Sequence, residues 1–170
     1  METIVIRFKP ELRDQIRASV VNYRAGALRI CDRVAGTAAL VAGLALFLVS
    51  GWPWWSLAVF CFIGFAEWSD ICHAHTLGAW LHFKRNRKFR DEYTVTFTPE
   101  GLHFKTVSID SIIEWSLYDS VVEDSVIFLL RTGKSFYSVI PKRAFKAEGE
   151  VDQFRKMVRA ALPKYDKQRF

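Results

Sequence analysis

The chain has 170 residues, of which 24 are basic and 18 acidic, giving a net charge of +6, and 51% are hydrophobic. Five of the basic residues fall within positions 84–90, and the rest of the chain is nearly neutral. Because the basicity is local, composition argues against a nucleic-acid-binding domain and indicates a single basic patch. Three cysteines without paired spacing predict no disulfide.

The first 33 residues predict a strand followed by a polar helix. Residues 3–8 alternate apolar and polar side chains as a half-buried strand does. We expect residues 1–9 to pair with a C-terminal domain over 91–170, where they would close an open sheet edge. Residues 10–33 read as a cytoplasmic helix that begins near Pro10 and leads into the membrane.

Residues 34–66 contain no charged side chain and are interrupted by Gly51-Trp52-Pro53. A membrane's hydrocarbon core is about 30 Å thick and needs roughly 20 apolar residues per helix. Two helices over 34–50 and 54–71, joined at this turn, therefore predict a transmembrane hairpin within 34–83. Since no Gly or Pro occurs between Glu67 and Gly78, we expect the second helix to extend to about residue 83. The run starts too late for a signal peptide, and it lacks the polar stripe of a soluble core hairpin.

The charges on either side of this run predict its orientation. Arg24, Arg29 and Arg33 precede it, while the turn between the helices is uncharged. A basic segment at 84–90 follows, and by the positive-inside rule both termini are cytoplasmic. We call this segment the collar. It either fixes topology or also recognises anionic lipid headgroups, and Phe83 and Phe89 around it favour docking at the membrane interface. Its cationic residues are Lys84, Arg85, Arg87, Lys88 and Arg90.

Ionisable residues follow the apolar run directly. Folding the hairpin about Trp52 brings Arg33 within a turn of Glu67 and Asp70, which predicts an interhelical ion pair with one of them. Glu67, Asp70 and His73 also share one helix face at i, i+3 and i+6. The alternative is therefore a divalent metal site or a proton relay within the membrane.

Small residues at Ala35, Ala39 and Gly43 form a ridge on the first apolar helix. Such ridges let helix backbones approach closely. The ridge serves either the contact within the hairpin, which we favour, or a second copy of the chain in a homo-oligomer.

From residue 91 onward the pattern changes to short strands and one amphipathic helix. Trp115 alternates inward with Ile113 and is expected in the core, while Phe145 would plug the end of the barrel. With the N-terminal strand this makes a seven-stranded, bent antiparallel sheet or small barrel of the α+β class. The strands are predicted at 93–98, 102–107, 108–115, 120–123, 126–131 and 135–140, and the helix from about 148.

Three stretches carry a family resemblance: YTVTFTPEGLHFKT, SIIEWSLYDSVVEDSVIFLL and SFYSVIPKRAF. Together with the preceding apolar hairpin they resemble the YcxB-like family of bacterial membrane proteins. The resemblance implies a pleckstrin-homology-like cytoplasmic domain with seven strands and a C-terminal helix, in a multi-pass protein of the bacterial inner membrane. By analogy with lipid-binding proteins of that fold, Lys142 and Arg143 could contact phosphate groups. The family implies no established activity and supplies no catalytic residues.

No nucleophile–base pair, phosphate-binding Gly loop or Cys/His metal framework stands out, and His103 stands alone on a strand. We therefore expect no enzyme activity and no cofactor. The favoured interpretation is an interaction or regulatory module anchored in the bilayer, with a protein partner and no nucleic acid. The alternatives are an immunity or inhibitor protein against a membrane-targeting toxin, and the intramembrane metal or proton site.

Overall fold

The chain divides into two compact units, one formed by residues 1–22 and 78–170 and the other by residues 23–77. Helices and sheets occur together in the first unit, so the fold is α+β. The first unit is discontinuous in sequence, because residues 23–77 are inserted within it. The computed structural model describes residues 3–26, 28–51, 53–68, 74–133, 136–162 and 164–167.

The first unit contains two β-sheets, of which the first includes the N-terminal strand. β1 pairs with β2 so that Ile4 lies opposite Phe97 and Phe8 opposite Tyr93. Side chains along β1 alternate between buried and exposed, and the buried ones join the core of the unit. The sheet consists of four antiparallel neighbours in chain order: β1 (Ile4–Phe8), β2 (Tyr93–Phe97), β3 (Gly101–Lys105) and β4 (Asp110–Glu114).

The second sheet has the order β7-β6-β5-β8. The sequence did not predict β8, which runs parallel to β5 with Tyr165 opposite Val121. Three residues are too few to show a periodic pattern, so its pairing depends on tertiary contacts. The strands are β5 (Ser120–Glu123), β6 (Ile127–Thr132), β7 (Phe136–Pro141) and β8 (Tyr165–Lys167).

The two sheets and the last helix, α5 (Glu148–Ala161), share one core. Phe154 of α5 is fully buried, and its ring centroid lies 4.5 Å from that of Phe97 in β2 and 4.9 Å from that of Phe128 in β6. Tilted and edge-to-face aromatic pairs of this kind add to the free energy gained by burial. The helical period predicted from residue 148 therefore marks the face that joins the sheets.

The helices before β2 differ from the predicted bounds. α1 (Leu12–Ala25) ends well before residue 33, and α2 (Leu28–Ser50) begins before the charge-free run. Leu and Arg are good helix formers, so the absence of charge marks the apolar part of α2 and not its start. α3 (Trp54–Trp68) and α4 (Ala74–Arg85) follow. The expected helical continuity between them falls on residues 69–73, which lie outside the described residues.

Among the described residues, one helix is long and apolar enough to cross a membrane by length and composition, over Arg29–Ser50. The apolar part of the next helix, Trp54–Ala66, is shorter. Gly51 between them has a φ of 61°, a left-handed conformation that glycine adopts readily. Directly after it, the Ser56 hydroxyl donates a 2.7 Å hydrogen bond to the Pro53 carbonyl in the first turn of α3.

α2 and α3 pack against each other through glycines. A Cβ built on Gly43 would lie 2.4 Å from the Cβ of Phe60, and one on Gly64 would lie 2.4 Å from Leu40 Cγ. The close contact within the hairpin thus uses Gly43, as the small-residue ridge suggested, whereas Ala35 of that ridge is exposed. Nearer the start of α2, the buried small residue is Gly36, one position after Ala35.

Replacing Gly64 with Ala is expected to loosen this hairpin. Its new Cβ would also lie 2.9 Å from the Gly36 carbonyl oxygen, a backbone atom that moves only if the helices separate. We expect a destabilisation of about 1–3 kcal/mol, typical of overpacking. The measurement is a denaturant titration of the detergent-solubilised chain, followed by helical circular dichroism.

The matched control is Gly78→Ala in α4, where a Cβ meets no atom within 4 Å. That change should be neutral or stabilise by up to about 1 kcal/mol through helix propensity. Equal effects of the two substitutions would mean that α2 and α3 do not depend on close approach at Gly64.

Candidate functional site

The collar forms the exposed basic surface that the sequence predicted. All five of its cationic residues are exposed, and Arg87–Arg90 is a short 3-10 turn that leads into β2. Lys84 Nζ lies 4.2 Å from the centroid of the Trp80 ring, a cation–π contact on α4. Among the described residues, no salt bridge neutralises these five side chains. The collar is therefore a concentrated patch of exposed positive charge.

Phe89 fixes the collar to its own unit and is not available for docking. It is buried, and its ring stacks on that of Phe83 with centroids 5.2 Å apart. The His82 ring meets it edge-on at 5.5 Å. An exposed aromatic anchor at Phe89 was therefore a wrong expectation; the side chain instead holds the 3-10 turn against α4.

The predicted intramembrane cluster falls mostly outside the described residues. Asp70 and His73 are not described, and neither is the side chain of Glu67. Arg33 lies on α2 with an exposed side chain. Over the described ranges, no group of three or more His, Cys, Asp or Glu residues could hold a metal ion. The Arg33 ion pair, the metal site and the proton relay remain predictions.

Trp115 and Phe145 both lie in the core. Trp115 is 4% exposed, and its indole N–H donates a 2.9 Å hydrogen bond to the Thr98 carbonyl, so the ring joins the β2–β3 turn to the end of β4. Phe145 is buried against the rings of Phe97 and Phe154. The core buries the ring of Trp115, and the Thr98 carbonyl satisfies its N–H group. Because both rings are buried, neither Trp115 nor Phe145 presents a ring for stacking on a ligand.

A buried glutamate at the end of a predicted strand joins four elements of the unit. Glu123, at the end of β5, is fully buried. Its Oε1 accepts hydrogen bonds of 2.6 Å from Lys142 Nζ and 2.6 Å from an Arg155 Nη atom, and its Oε2 accepts one from the Tyr165 hydroxyl. One carboxylate thus joins β5 to the turn after β7, to α5 and to β8.

These donors determine the ionisation of Glu123. Burial alone would raise the pKa of its carboxyl, but hydrogen bonds from Arg155, Lys142 and Tyr165 outweigh that effect and lower the pKa to about 2. Burial and the same carboxylate raise the pKa of Tyr165 to about 12. Glu123 is therefore ionised and Tyr165 protonated throughout the physiological range.

Two further buried carboxylates fasten α1 to the rest of its unit. The Arg17 guanidinium donates two hydrogen bonds to the Asp124 carboxylate, at 2.7 and 2.9 Å. Burial opposes ionisation of Asp124, yet the bonds from Arg17 keep the pKa of Asp124 below its usual value. Asp14 of α1 is also buried and accepts a hydrogen bond from Arg143. The helix is thus held by paired charges as well as by apolar contacts.

These pairs correct the expectation that Lys142 and Arg143 bind phosphate. Lys142 contacts Glu123, and Arg143 contacts Asp14, Glu11 and the Lys9 carbonyl. Both cations are therefore compensated within the chain. His103, which has no chemical partner beside it in the sequence, likewise contacts the Asp110 carboxylate across the β3–β4 pair.

The sequence did not indicate these ion pairs, because their members lie far apart along the chain. Arg17 and Asp124 are separated by 107 positions, and Arg143 and Asp14 by 129. The one local signal is a pair of consecutive acids, Glu123 and Asp124, that directly follows two apolar residues, Val121 and Val122. Acids at that place are also typical of a solvated turn, so the pattern alone could not identify them as buried.

The Glu123 pKa predicts acid lability. A carboxyl with a lower pKa in the folded chain than its usual 4.5 stabilises the fold above about pH 4.5 and loses this effect as pH falls toward 2. We expect constant stability from pH 8 to 5 and a steep loss below, measured by circular dichroism at each pH. In Glu123→Gln the loss should be clearly shallower; an unchanged slope would assign the acid sensitivity to other carboxyls.

Together these features define a compact two-sheet domain closed by a C-terminal helix and stabilised by buried ion pairs, with an apolar helical insertion and a basic collar. Residues 97–158 match the family model described as YcxB-like protein. This stretch runs from the end of β2 through most of α5. The chain thus contains a YcxB-like domain, and the family expected from its motifs is confirmed.

A curated relative supports the same family. The chain is 29% identical over 76 residues to "Uncharacterized protein YcxB" of Bacillus subtilis (strain 168). That alignment covers 45% of this chain and 41% of the relative, so it spans less than half of either protein. No solved structure gives a significant match to the chain.

Proposed function

We propose that this chain is a non-catalytic module of the bacterial inner membrane that presents its YcxB-like domain at the cytoplasmic leaflet and binds a protein partner there. In this proposal α2 and α3 form a two-pass anchor with both termini in the cytoplasm. The collar lies at the headgroups.

The exposure of α2 is the observation that carries the proposal. Only 11% of its most apolar stretch is buried, whereas the core helix of a soluble protein is mostly buried. An apolar surface of this extent needs a cover, and the lipid bilayer is the simplest one. The large apolar side chains that are at least half exposed are Ile30, Val34, Val41, Leu44, Leu48 and Val49 on α2 and Trp54, Trp55, Phe62 and Phe65 on α3.

The strand before α2 argues that this apolar segment is retained and is not a cleaved signal. β1 supplies Ile4, Ile6 and Phe8 to the core, and its backbone pairs with β2 along its whole length. Cleavage after α2 would remove β1 and leave β2 as an open edge. Retention of the segment is therefore coupled to folding of the domain.

Charge supports the orientation. Arg29 and Arg33 lie at the start of α2, and the collar begins in the last turn of α4, whereas the described residues of the α2–α3 turn carry no charge. This is the positive-inside distribution for two crossings. The apolar part of α3, Trp54–Ala66, is shorter than the roughly 20 residues that a full crossing needs, and residues 69–73 beyond α3 lie outside the described residues.

The free edge of β4 is the surface that we assign to the protein partner. Among the described strands, β4 pairs only with β3, so one side of its backbone is open. Ile112 of β4 is 81% exposed, while its neighbour Ile113 packs on the core. An open edge with an exposed apolar side chain favours addition of an extended segment from another protein.

The test is site-specific photo-crosslinking of the full chain in native membranes. With p-benzoyl-phenylalanine in place of Ile112, we expect a discrete adduct with one other protein. The control places the same group at Lys156, an exposed position on α5, and should give none. Adducts with lipid alone, with a second copy alone, or equally at both positions would contradict the assignment.

A further inference from the structure

The register of the first sheet brings the collar and the β3–β4 turn to the same end of the sheet. The collar ends at Arg90, three residues before β2 begins at Tyr93. Thr94 lies opposite Lys105, and Lys105 lies opposite Asp110, so the residues between β3 and β4 project from this end. The β2–β3 turn lies at the other end, about 17 Å away along five-residue strands.

The β3–β4 turn is well formed and presents an apolar side chain at its tip. Thr106 N–H donates a 2.7 Å hydrogen bond to the Ile109 carbonyl, and the Thr106 hydroxyl accepts one of 3.0 Å from the Ile109 N–H. Val107 is 91% exposed, and Ile109 beside it is also exposed. Since the turn satisfies these backbone groups internally, entry of its tip into an apolar phase would leave few of them unpaired.

The charges around this tip favour an anionic surface. The five cations of the collar are exposed, and Lys105 is exposed at the end of β3. The acids nearest the collar and the turn are Asp91, Glu92 and Asp110, of which Asp110 contacts His103 and Lys105. Glu11 and Asp14, after β1, are paired with Arg143. The net charge around the collar and the turn is therefore positive. An apolar tip flanked by cations is the composition that binds the interface of an anionic bilayer.

We propose that the β3–β4 turn is a second membrane contact, in which Val107 enters the boundary between headgroups and acyl chains of an anionic bilayer while the collar binds the lipid phosphates. This inference rests on the proposed anchoring of the chain by α2. It fixes which end of the first sheet faces the lipid, and it leaves the Ile112 edge available to a protein.

The test uses the full chain, with Cys31, Cys61 and Cys72 replaced by Ala, in liposomes containing about one third phosphatidylglycerol. An environment-sensitive NBD label at Val107→Cys should be quenched several-fold by lipids brominated in the acyl chain. The matched label at Glu100→Cys, in the turn at the opposite end of the same sheet, should not be quenched. In liposomes of phosphatidylcholine alone, quenching at Val107 should fall at least twofold.

A third label at Val41→Cys separates the two proposals. Quenching at Val41 without quenching at Val107 would overturn this inference and leave the anchor intact. Absence of quenching at both positions would overturn the anchor and this inference with it. Equal quenching at Val107 in anionic and neutral liposomes would overturn the role of the collar.

Discussion

Replacing Glu123 with Gln is expected to destabilise the YcxB-like domain by about 3 kcal/mol, the usual effect of removing one member of a buried ion pair. The carboxylate is fully buried and accepts hydrogen bonds from three elements. A neutral amide cannot compensate Lys142 and Arg155, whose side chains are only 18% and 25% exposed. The two cations would then remain near each other without a counter-charge.

Hydrogen exchange of the full chain in detergent measures this effect locally. Peptides covering β5 and β6 should lose about 100-fold in protection, the equivalent of about 3 kcal/mol. The control is Glu114→Gln at the end of β4, where the side chain is exposed and contacts Ser116. That change should lie within about 0.5 kcal/mol of wild type. Equal protection in both variants would contradict the role assigned to Glu123.

A triple replacement distinguishes the loss of a charge from the loss of packing. Changing Glu123, Lys142 and Arg155 together to Met removes every charge of the group and keeps similar volume. Apolar replacement of a whole buried ionic group is often neutral. We expect the triple variant to be more stable than Glu123→Gln alone; if it is less stable, the group acts chiefly through its hydrogen-bond geometry.

Introducing a charge at Val41 is expected to prevent membrane integration. Val41 lies near the middle of α2 and is 64% exposed. A Lys at the centre of a membrane helix costs about 2.5–3.5 kcal/mol, or about 100-fold in the insertion equilibrium. The fraction of Val41→Lys protein that resists alkaline carbonate extraction should fall strongly. If α2 were surrounded by water instead, the same substitution at this exposed position would change the free energy of unfolding by less than about 0.5 kcal/mol.

The matched control is Val5→Lys. Val5 is also an exposed valine, 45% exposed, but it lies on β1 in the other unit. Its replacement should leave carbonate resistance unchanged. If Val41→Lys integrates as well as Val5→Lys, α2 is not surrounded by lipid.

The elements with a regular pattern could be predicted from the sequence. The alternation in residues 3–8 indicates the strand that pairs with β2, and the helical period after residue 148 indicates α5. Both patterns follow from burial of one face, which leaves a local trace in the sequence. The hairpin contact at Gly43 was also predicted, although the buried small residue nearer the start of α2 is Gly36 and not Ala35.

Features that depend on contacts between separate parts of the sequence could not be predicted. Phosphate contact was an alternative role for Lys142, yet Glu123 compensates this side chain from 19 positions away. Phe89 was expected at an interface, but it lies buried against Phe83. β8 has three residues, and the helix start of α2 falls in a charged segment. For Lys142, Phe89 and β8, tertiary contacts decide the outcome, and the local sequence is equally compatible with exposure.

Side-specific cysteine labelling of intact bacterial cells tests the two-pass anchor most directly. In a chain whose Cys31, Cys61 and Cys72 are replaced by Ala, Ser50→Cys reports on the α2–α3 turn and Ser125→Cys on the domain; both serines are exposed. A membrane-impermeant maleimide should label Ser50→Cys from outside, and Ser125→Cys only after the membrane is opened. Labelling of Ser125→Cys in intact cells, or protection of both positions, would contradict the account.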